Sequence, residues 1–344
     1  MSESGRFRNE TPTAHSGFGD LLRWMATRKP GPWRKWTDIP PGPSPPPRVA
    51  TGEMRVTFVN HATALLQMDG VNVLTDPIWS ERCSPVSFAG PKRVVPPGLR
   101  FEQLPPIDVV LVSHNHYDHL DLPTLRRLAA EHNPRILVPR GNRRLLDRAG
   151  LRGGEELEWW KSVVVADGVR VAAVPARHFS GRGLFDRNRS LWAGFVVSGP
   201  SGSAYFAGDT GFGPHFQEIR DRFGSPRLAF LPIGAYRPEW FMSRVHTSPT
   251  EALRAHRILG AGTSVGIHFG TFRLADDGQD EPPERIEALL REEVAPRPRF
   301  WILGFGEGRD VPREAIGLGS SDEGHSVRGD GNGRPGRLAG VPAR

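Results

Sequence analysis

Short apolar runs rich in β-branched residues alternate with turn residues through the first half of the chain. These runs predict strands at residues 55–59, 64–68, 71–74 and 109–113. Asp69-Gly70 is a typical hairpin turn between the second and third runs. Helical spacing over residues 122–131, a strand at 135–138 and a short helix at 142–149 follow. The order predicts a meander that continues into a βα unit.

A second group of strands and helices fills the second half. Strands are predicted at residues 162–166, 169–175, 191–198, 204–207, 228–232, 264–268 and 299–304, and helices at 214–223, 248–259 and 284–293. The middle helix starts with Ser248 as its cap, Pro249 in its first position and Glu251 in its third, which is a capping box. Two successive halves of this kind predict an α/β fold with two sheets packed face to face and helices outside.

The two ends of the chain differ from this predicted domain, which spans residues 51–312. Residues 1–50 contain a basic, aromatic stretch at 18–36 and an extended proline-rich linker from Pro40 to Pro47. Such a stretch can lie in a membrane interface or pack on the body as an arm. Residues 313–344 are rich in Gly, Ser, Asp and Arg, and we expect a disordered tail there.

Composition limits the class of protein. Hydrophobic residues make up 38% and charged residues 24% of the chain, as in soluble enzymes, and residues 1–10 lack the apolar segment of a secretory signal. We therefore expect a cytoplasmic protein. The net charge of +7 favours anionic ligands. Because Cys83 is the single cysteine, an intramolecular disulfide is excluded and any metal chemistry must use histidine and aspartate.

One loop concentrates metal-binding side chains. The apolar run 107–113 is followed at once by His114-x-His116-x-Asp118-His119. Three imidazoles and one carboxylate within six residues form a donor set that suits zinc and other first-row divalent ions. The chain has twelve histidines, so this clustering by chance is improbable.

Three further candidates follow later predicted strands. His178, Asp209 and His268 would each be a weak signal alone, because a single histidine after a strand is more often structural. Together with the loop they provide seven ligands, which is the number that a dinuclear site requires.

Several short sequence segments resemble those of a known family. They are Asn60-His61-Ala62-Thr63, Leu74-Thr75-Asp76-Pro77-Ile78, Gly90-Pro91-Lys92-Arg93, Leu104-Pro105-Pro106-Ile107-Asp108, Ala207-Gly208-Asp209-Thr210-Gly211, Pro232-Ile233-Gly234-Ala235-Tyr236 and Ile267-His268-Phe269-Gly270-Thr271-Phe272. With the metal motif, they resemble the metallo-β-lactamase superfamily and, within it, the N-acylphosphatidylethanolamine-hydrolysing phospholipase D family. The similarity runs from about residue 6 to residue 308.

The resemblance implies a four-layer αββα sandwich of two mixed sheets and two Zn²⁺ ions, with other divalent first-row metals left open. It assigns one metal to His114, His116 and His178 and the other to Asp118, His119 and His268, with Asp209 bridging the two. Asp118 and Asp209 would then be catalytic: Asp118 orients the attacking hydroxide and Asp209 holds the metal spacing.

The remaining candidates have two interpretations each. Asp76 either accepts the outer ring N–H of a ligand histidine or caps a turn, and His61 has the same ambiguity with the structural interpretation favoured. His246 either contacts substrate phosphate as a catalytic residue or only begins a helix. Tyr236 and Trp240 either line an acyl-chain groove or belong to the core.

The leading functional hypothesis is a phospholipase D-type phosphodiesterase that releases N-acylethanolamine and phosphatidic acid. A lactonase or sugar-phosphate hydrolase, like the ascorbate-phosphate lactonase relatives of this branch, keeps the same site. A nuclease fits the charge, but no nucleic-acid-binding module is evident, so no nucleic-acid partner is expected. A metal-binding scaffold fits seven intact ligands poorly. A small-molecule or phospholipid substrate is expected, while peripheral membrane contact and a homodimer stay open.

Overall fold

The computed structural model describes residues 5–11, 17–183 and 185–313, and their strands form two seven-stranded sheets. The strands of the first sheet are β1 (Met54–Asn60), β2 (Thr63–Met68), β3 (Val71–Thr75), β4 (Val109–Leu111), β5 (Arg135–Pro139), β6 (Glu155–Leu157) and β14 (Gly308–Asp310). Those of the second are β7 (Ser162–Ala166), β8 (Val169–Val174), β9 (Gly194–Gly199), β10 (Gly202–Phe206), β11 (Leu228–Pro232), β12 (Thr263–Ile267) and β13 (Phe300–Trp301).

Each sheet is part antiparallel and part parallel. The first has the order β14-β1-β2-β3-β4-β5-β6, with β3 to β6 parallel, and the second has the order β13-β12-β11-β10-β9-β8-β7, with β10 to β13 parallel. The strands β1 to β3 and β7 to β10 pair antiparallel. Parallel neighbours end at the same edge of a sheet, so loops that follow them lie close together.

The described part of the chain contains seven α-helices. They are α1 (Phe18–Thr27), α2 (Leu122–Glu131), α3 (Arg143–Arg148), α4 (His215–Phe223), α5 (Glu239–Met242), α6 (Pro249–Leu259) and α7 (Glu281–Glu292). The first sheet packs on α2 and α3 through Leu125, Leu128 and Leu146. The second carries α4, α6 and α7. The predicted α/β sandwich of two mixed sheets is therefore confirmed.

The period-2 alternation of the strands separates two apolar layers. In β4 and the residue after it, Val110 and Val112 face the helices on the outside, whereas Val109 and Leu111 join the core between the sheets. All four side chains are fully buried. A strand buried on both faces has a continuous apolar sequence, which explains why this run lacks polar positions.

The predicted capping box is present at the start of α6. Ser248 Oγ accepts the N–H of Glu251 at 3.3 Å, and Glu251 Oε2 accepts the N–H of Ser248 at 2.9 Å. The helix ends at Gly260 with a φ of 61°, a left-handed conformation that glycine adopts without strain. This helix fixes the loop that contains His246.

The N-terminal arm contacts the domain at several points. Trp24 Nε1 donates to Asp276 Oδ2 at 2.9 Å, and Arg28 pairs with the same carboxylate at 2.8 Å. In the linker, the N–H of Gly42 donates to the carbonyl of Gly98 at 2.7 Å. The arm thus packs on the body over its described part. The predicted tail lies outside the described residues, apart from Arg313.

None of the helices in the described ranges is both long enough and apolar enough to cross a membrane.

Candidate metal centre

Strand ends of both sheets place the candidate ligands in one volume. The loop 114–119 follows β4, while His178, Asp209 and His268 follow β8, β10 and β12. All of these side chains except His116 are buried or nearly so. The ring nitrogens and carboxylate oxygens form overlapping groups whose members lie within 4.8 Å of one another. The structure therefore brings together the seven residues predicted as metal ligands.

The first group consists of His114, His116 and His178. His116 Nδ1 lies 2.8 Å from His114 Nε2 and 3.3 Å from His178 Nε2. Burial lowers the pKa of His116 to about 4 and the pKa values of the other two well below the ordinary value. Neutral imidazole is the form that binds metal ions, so this group has the required protonation state at neutral pH.

Outer hydrogen bonds determine which ring nitrogen of His114 and of His119 faces the site. Ser113 donates its N–H to Asp76 Oδ1 and its hydroxyl to Asp76 Oδ2, both at 2.6 Å. The Ser113 oxygen is therefore free to accept His114 Nδ1–H, at 2.9 Å. Asp76 Oδ2 also accepts His119 Nδ1–H at 2.6 Å. This network leaves both Nε2 lone pairs directed inward, as in a metal ligand.

The second group consists of Asp118, His119 and His268, and Asp209 lies between the two groups. Asp209 Oδ2 lies 3.2 Å from both His119 Nε2 and His268 Nε2. The same oxygen lies 4.0 Å from His114 Nε2 and 3.8 Å from His178 Nε2. A single carboxylate oxygen thus faces ligand nitrogens of both groups, which is the placement expected for a bridge.

Negative charge dominates the second group. Burial opposes ionisation of Asp118 and Asp209, but nearby histidines outweigh it and lower both pKa values well below the ordinary value. Burial also opposes protonation of His268, but the charge of Asp209 and hydrogen bonds to both aspartates raise its pKa to about 9. Burial opposes protonation of His119 as well, but the charges of Asp209, Asp118 and Asp76 raise its pKa well above the ordinary value. The group therefore attracts positive charge.

The contacts of His119 fit a bound cation. Its Nδ1–H is used by Asp76, and its buried Nε2 has no hydrogen-bond partner among the described residues. That Nε2 lies 3.2 Å from Asp118 Oδ2 and 3.2 Å from Asp209 Oδ2. A lone pair that faces two carboxylate oxygens is unfavourable unless a proton or a metal ion lies between them. Nitrogen and carboxylate donors are those that zinc and related ions prefer.

Comparison with known proteins identifies the family. The sequence model of the family described as a beta-lactamase superfamily domain matches residues 71–269, which include both candidate groups. The chain belongs to the metallo-β-lactamase superfamily. Its members include metal-dependent hydrolases, and this chain is a metal-dependent hydrolase of that fold.

Individual relatives narrow the branch within the superfamily. An uncharacterized protein of Mycobacterium tuberculosis is 43% identical over 74% of this chain and 69% of its own length. An N-acyl-phosphatidylethanolamine-hydrolyzing phospholipase D of Caenorhabditis elegans is 40% identical over 68% and 69%. A mitochondrial enzyme of the same name from Saccharomyces cerevisiae is 37% identical over 68% of this chain and 51% of its own length.

A solved structure supports the fold independently. A possible metal-dependent hydrolase from Veillonella parvula superposes with a TM-score of 0.61 over 75% of this chain and 99% of its own, at 16% identity. At this identity the likeness shows the metallo-β-lactamase fold alone.

Of the residues predicted around the metal ligands, His61 and His246 also lie at this metallo-β-lactamase site. His61 Nε2 lies 3.0 Å from Asp118 Oδ2, so its ring contacts a candidate ligand. His246 Nδ1 lies 3.8 Å from Asp209 Oδ2 and has no hydrogen-bond partner among the described residues. Tyr236 is buried and donates its hydroxyl to Glu281, away from the ligands, whereas Trp240 is 39% exposed.

Three site residues have left-handed backbone conformations. The φ values are 47° at His61, 32° at Asp76 and 64° at His268, a region that non-glycine residues seldom occupy. The prediction of His268 as the last residue of a strand is therefore wrong by one residue, because β12 ends at Ile267. The N–H of His268 donates to the carbonyl of His61 at 2.7 Å instead of to the sheet.

The prediction missed three groups that contact ligands. They are the Ser113 hydroxyl, the carbonyl of Val245, which accepts His178 Nδ1–H at 2.9 Å, and the side chain of Asn9. Ser113 is recognisable in sequence because it directly precedes the metal motif. A backbone carbonyl and a residue 169 positions from its partner have no such signal.

Proposed function

We propose that this metallo-hydrolase is a zinc-dependent phosphodiesterase of phospholipase D type that cleaves N-acylphosphatidylethanolamine-like lipids. Hydrolysis would place the oxygen of water on phosphorus and a proton on the departing alcohol oxygen, which gives phosphatidic acid and N-acylethanolamine. The observation that carries the proposal is the presence of all seven candidate ligands in a chain 40% identical to an enzyme of that name.

Each site residue would have a role in metal binding or in substrate binding. His114, His116 and His178 would hold one cation and Asp118, His119 and His268 the other, with Asp209 between them. Bound cations would supply positive charge for the phosphoryl oxygens and lower the pKa of water. Asp118 would orient the attacking water. His246, whose Nδ1 faces Asp209, would contact the substrate phosphate.

The surface beside the site is suited to a lipid substrate. Leu21, Leu22 and Met25 on α1 are 37%, 49% and 62% exposed and lie on one helical face. An adjacent side of α1 packs on the segment before His246, where Trp24 stacks on Phe241 with ring centroids 5.1 Å apart. Two exposed basic residues are near in sequence: Arg23, whose guanidinium lies 4.7 Å from the centroid of the Trp240 ring, and Lys29, which follows the end of α1.

This surface supports peripheral membrane contact as a second part of the proposal. A helix with exposed apolar residues and neighbouring cations binds in the headgroup region of anionic bilayers. A chain that acts on a phospholipid must reach its substrate there. The cytoplasmic location and a homodimer stay predictions.

Removal of metal should abolish hydrolysis of the lipid. We expect no release of N-acylethanolamine from N-palmitoyl-phosphatidylethanolamine in mixed micelles after treatment with a chelator, and recovery when Zn²⁺ is restored. Mass spectrometry of both products checks the cleaved bond. The same preparation assayed on a lactone panel serves as the comparison. A zinc-loaded protein that leaves the lipid intact but opens a lactone would show that the phospholipase assignment is wrong.

Charge on the apolar face of α1 should weaken binding to membranes. We expect the double substitution Leu22→Asp and Met25→Asp to reduce sedimentation with phosphatidylcholine–phosphatidylglycerol vesicles by ~10-fold or more, because each side chain loses its burial in the bilayer. Hydrolysis of a monomeric substrate should not change. Val294→Asp is the control, since Val294 is 86% exposed and follows α7 instead of lying on α1. Equal vesicle binding by all three proteins would refute a membrane role for α1.

A further inference from the structure

The described N-terminal segment, residues 5–11, reaches one of the candidate ligands from outside the site. Asn9 Nδ2–H donates to the carbonyl oxygen of His178 at 3.2 Å. The backbone N–H of His178 in turn donates to Asn9 Oδ1, also at 3.2 Å. A side-chain amide thus pairs with both backbone polar groups of this histidine, as a neighbouring strand would.

His178 lies where the regular sheet no longer supports the chain. Strand β8 ends at Val174, and β9 begins at Gly194. The N-terminal segment runs beside the intervening loop, and the N–H of Phe7 donates to the carbonyl of Asn188 at 2.8 Å. Within β8 the neighbouring strands pair with the backbone N–H and C=O groups. Asn9 does the same for the backbone of His178, which lies beyond the end of β8.

A buried indole fixes the position of Asn9 itself. Trp192 Nε1–H points at two acceptors, Asn9 Oδ1 at 3.0 Å and the carbonyl of Ala176 at 2.8 Å. Trp192 is 1% exposed and belongs to the largest fully buried side chains of the protein. The amide oxygen is therefore held by a rigid group of the core, and its amide nitrogen is directed toward His178.

The ring and the backbone of His178 are held separately. The Val245 carbonyl accepts the ring Nδ1–H at 2.9 Å, which sets the ring orientation. The two Asn9 hydrogen bonds fix the peptide groups from which that ring projects. A ligand nitrogen must be placed within about 0.5 Å for tight metal binding, so loss of either support should weaken it.

We propose that Asn9 is a positioning residue for the metal group His114, His116 and His178, so that the N-terminal segment completes this half of the metal centre. The inference rests on the proposed metal centre and does not depend on the lipid substrate. It assigns Asn9 an effect on one of two metal ions only, because the described Asn9 contacts reach His178 and none of the second group.

Metal titration of the full chain tests this assignment. Metal-free wild type, Asn9→Ala and Asn9→Asp would be titrated with Zn²⁺ against a chromophoric chelator, and with Co²⁺ for its visible spectrum. In both variants, we expect the affinity for one of the two bound metal ions to fall ~10-fold or more. The affinity for the other ion should not change. Asn9→Asp keeps the acceptor for Trp192 and for the His178 N–H but cannot donate to the His178 carbonyl. Asn9→Asp therefore still tests the role of the hydrogen bond to the His178 carbonyl if Asn9→Ala does not fold.

Glu10→Ala is the matched control from the same segment. Glu10 Oε1 accepts Trp160 Nε1–H at 3.1 Å, a contact that reaches no candidate ligand, so this variant should bind both equivalents like wild type. Circular dichroism and thermal unfolding show that each variant is folded. Folded Asn9 variants with two unchanged equivalents would overturn the proposal, and so would equal losses in Glu10→Ala. Wild type that binds no metal would instead overturn the proposed metal centre itself.

Discussion

Replacing Asp209 by Asn should reduce hydrolysis by roughly 10³-fold or more without unfolding the protein. Asp209 Oδ2 lies 3.2 Å from ligand nitrogens of the second group and 3.8 Å from His178 Nε2 in the first. An amide of the same shape carries no charge to offset two cations, so both groups should hold metal more weakly. The turnover number and the metal content per chain of zinc-loaded protein measure the two effects.

Asp277→Asn is the matched control for this experiment. Asp277 is also a buried carboxylate, and its Oδ2 accepts the N–H of Ala235 at 3.1 Å. Burial raises its pKa, so a neutral amide is well tolerated there. The control should keep the activity and the metal content of wild type. Full activity in Asp209→Asn with two metals bound would contradict the bridging role.

The metal motif and the strand ends were the predictable part of this site. The apolar run before His114 predicts a buried strand, and a buried strand must end in a loop at one edge of its sheet. The same argument applied to His178, Asp209 and His268. Taken together, the four strand ends supply seven candidate ligands, and this number predicts one dinuclear cluster. The helix Leu122–Glu131 and the strand Leu228–Pro232 were also predicted with their observed bounds.

Elements without apolar periodicity could not be predicted. The strand β14 (Gly308–Asp310) is short and polar, and it forms only because β1 offers a free edge. Helix α5 has four residues. The strand predicted from residue 191 starts instead at Gly194, because the N–H groups of Leu191 and Ala193 donate to Arg140 and Ser113 in loops of the other sheet. Tertiary contacts of this kind leave no local pattern.

Support for the ligands was the least predictable part. Asn9 and His178 are far apart in sequence. The acceptor from Val245 is a backbone carbonyl, which every residue has, so the residue type does not indicate it. Asp76 could be suggested because it follows a strand of the same sheet as the metal loop, yet a turn-capping role fitted equally. The contact of Asp76 Oδ2 with His119 Nδ1 at 2.6 Å is the one that an outer support requires.

Asp76→Asn should lower the affinity for both metal ions, whereas the Asn9 variants should lower the affinity for one. Asp76 contacts His119 of the second group directly and His114 of the first through the Ser113 hydroxyl. An amide NH₂ in place of one acceptor oxygen faces these donors and disturbs the tautomers of both rings. We expect each affinity to fall ~10- to 100-fold and the free energy of unfolding to fall by roughly 2 to 4 kcal/mol. Zinc titration and chemical denaturation measure these changes.

Asp69→Asn separates the effect on metal from the effect on stability. Asp69 accepts the same kinds of donor as Asp76, namely the N–H of Ser201 at 3.0 Å and its hydroxyl at 2.7 Å, and it too has a positive φ, of 51°. It lies in the turn between β2 and β3, at the other end of β3 from Asp76. The control should therefore lose stability and keep both metals. Equal metal affinities in the two variants would mean that Asp76 supports the fold and not the ligands.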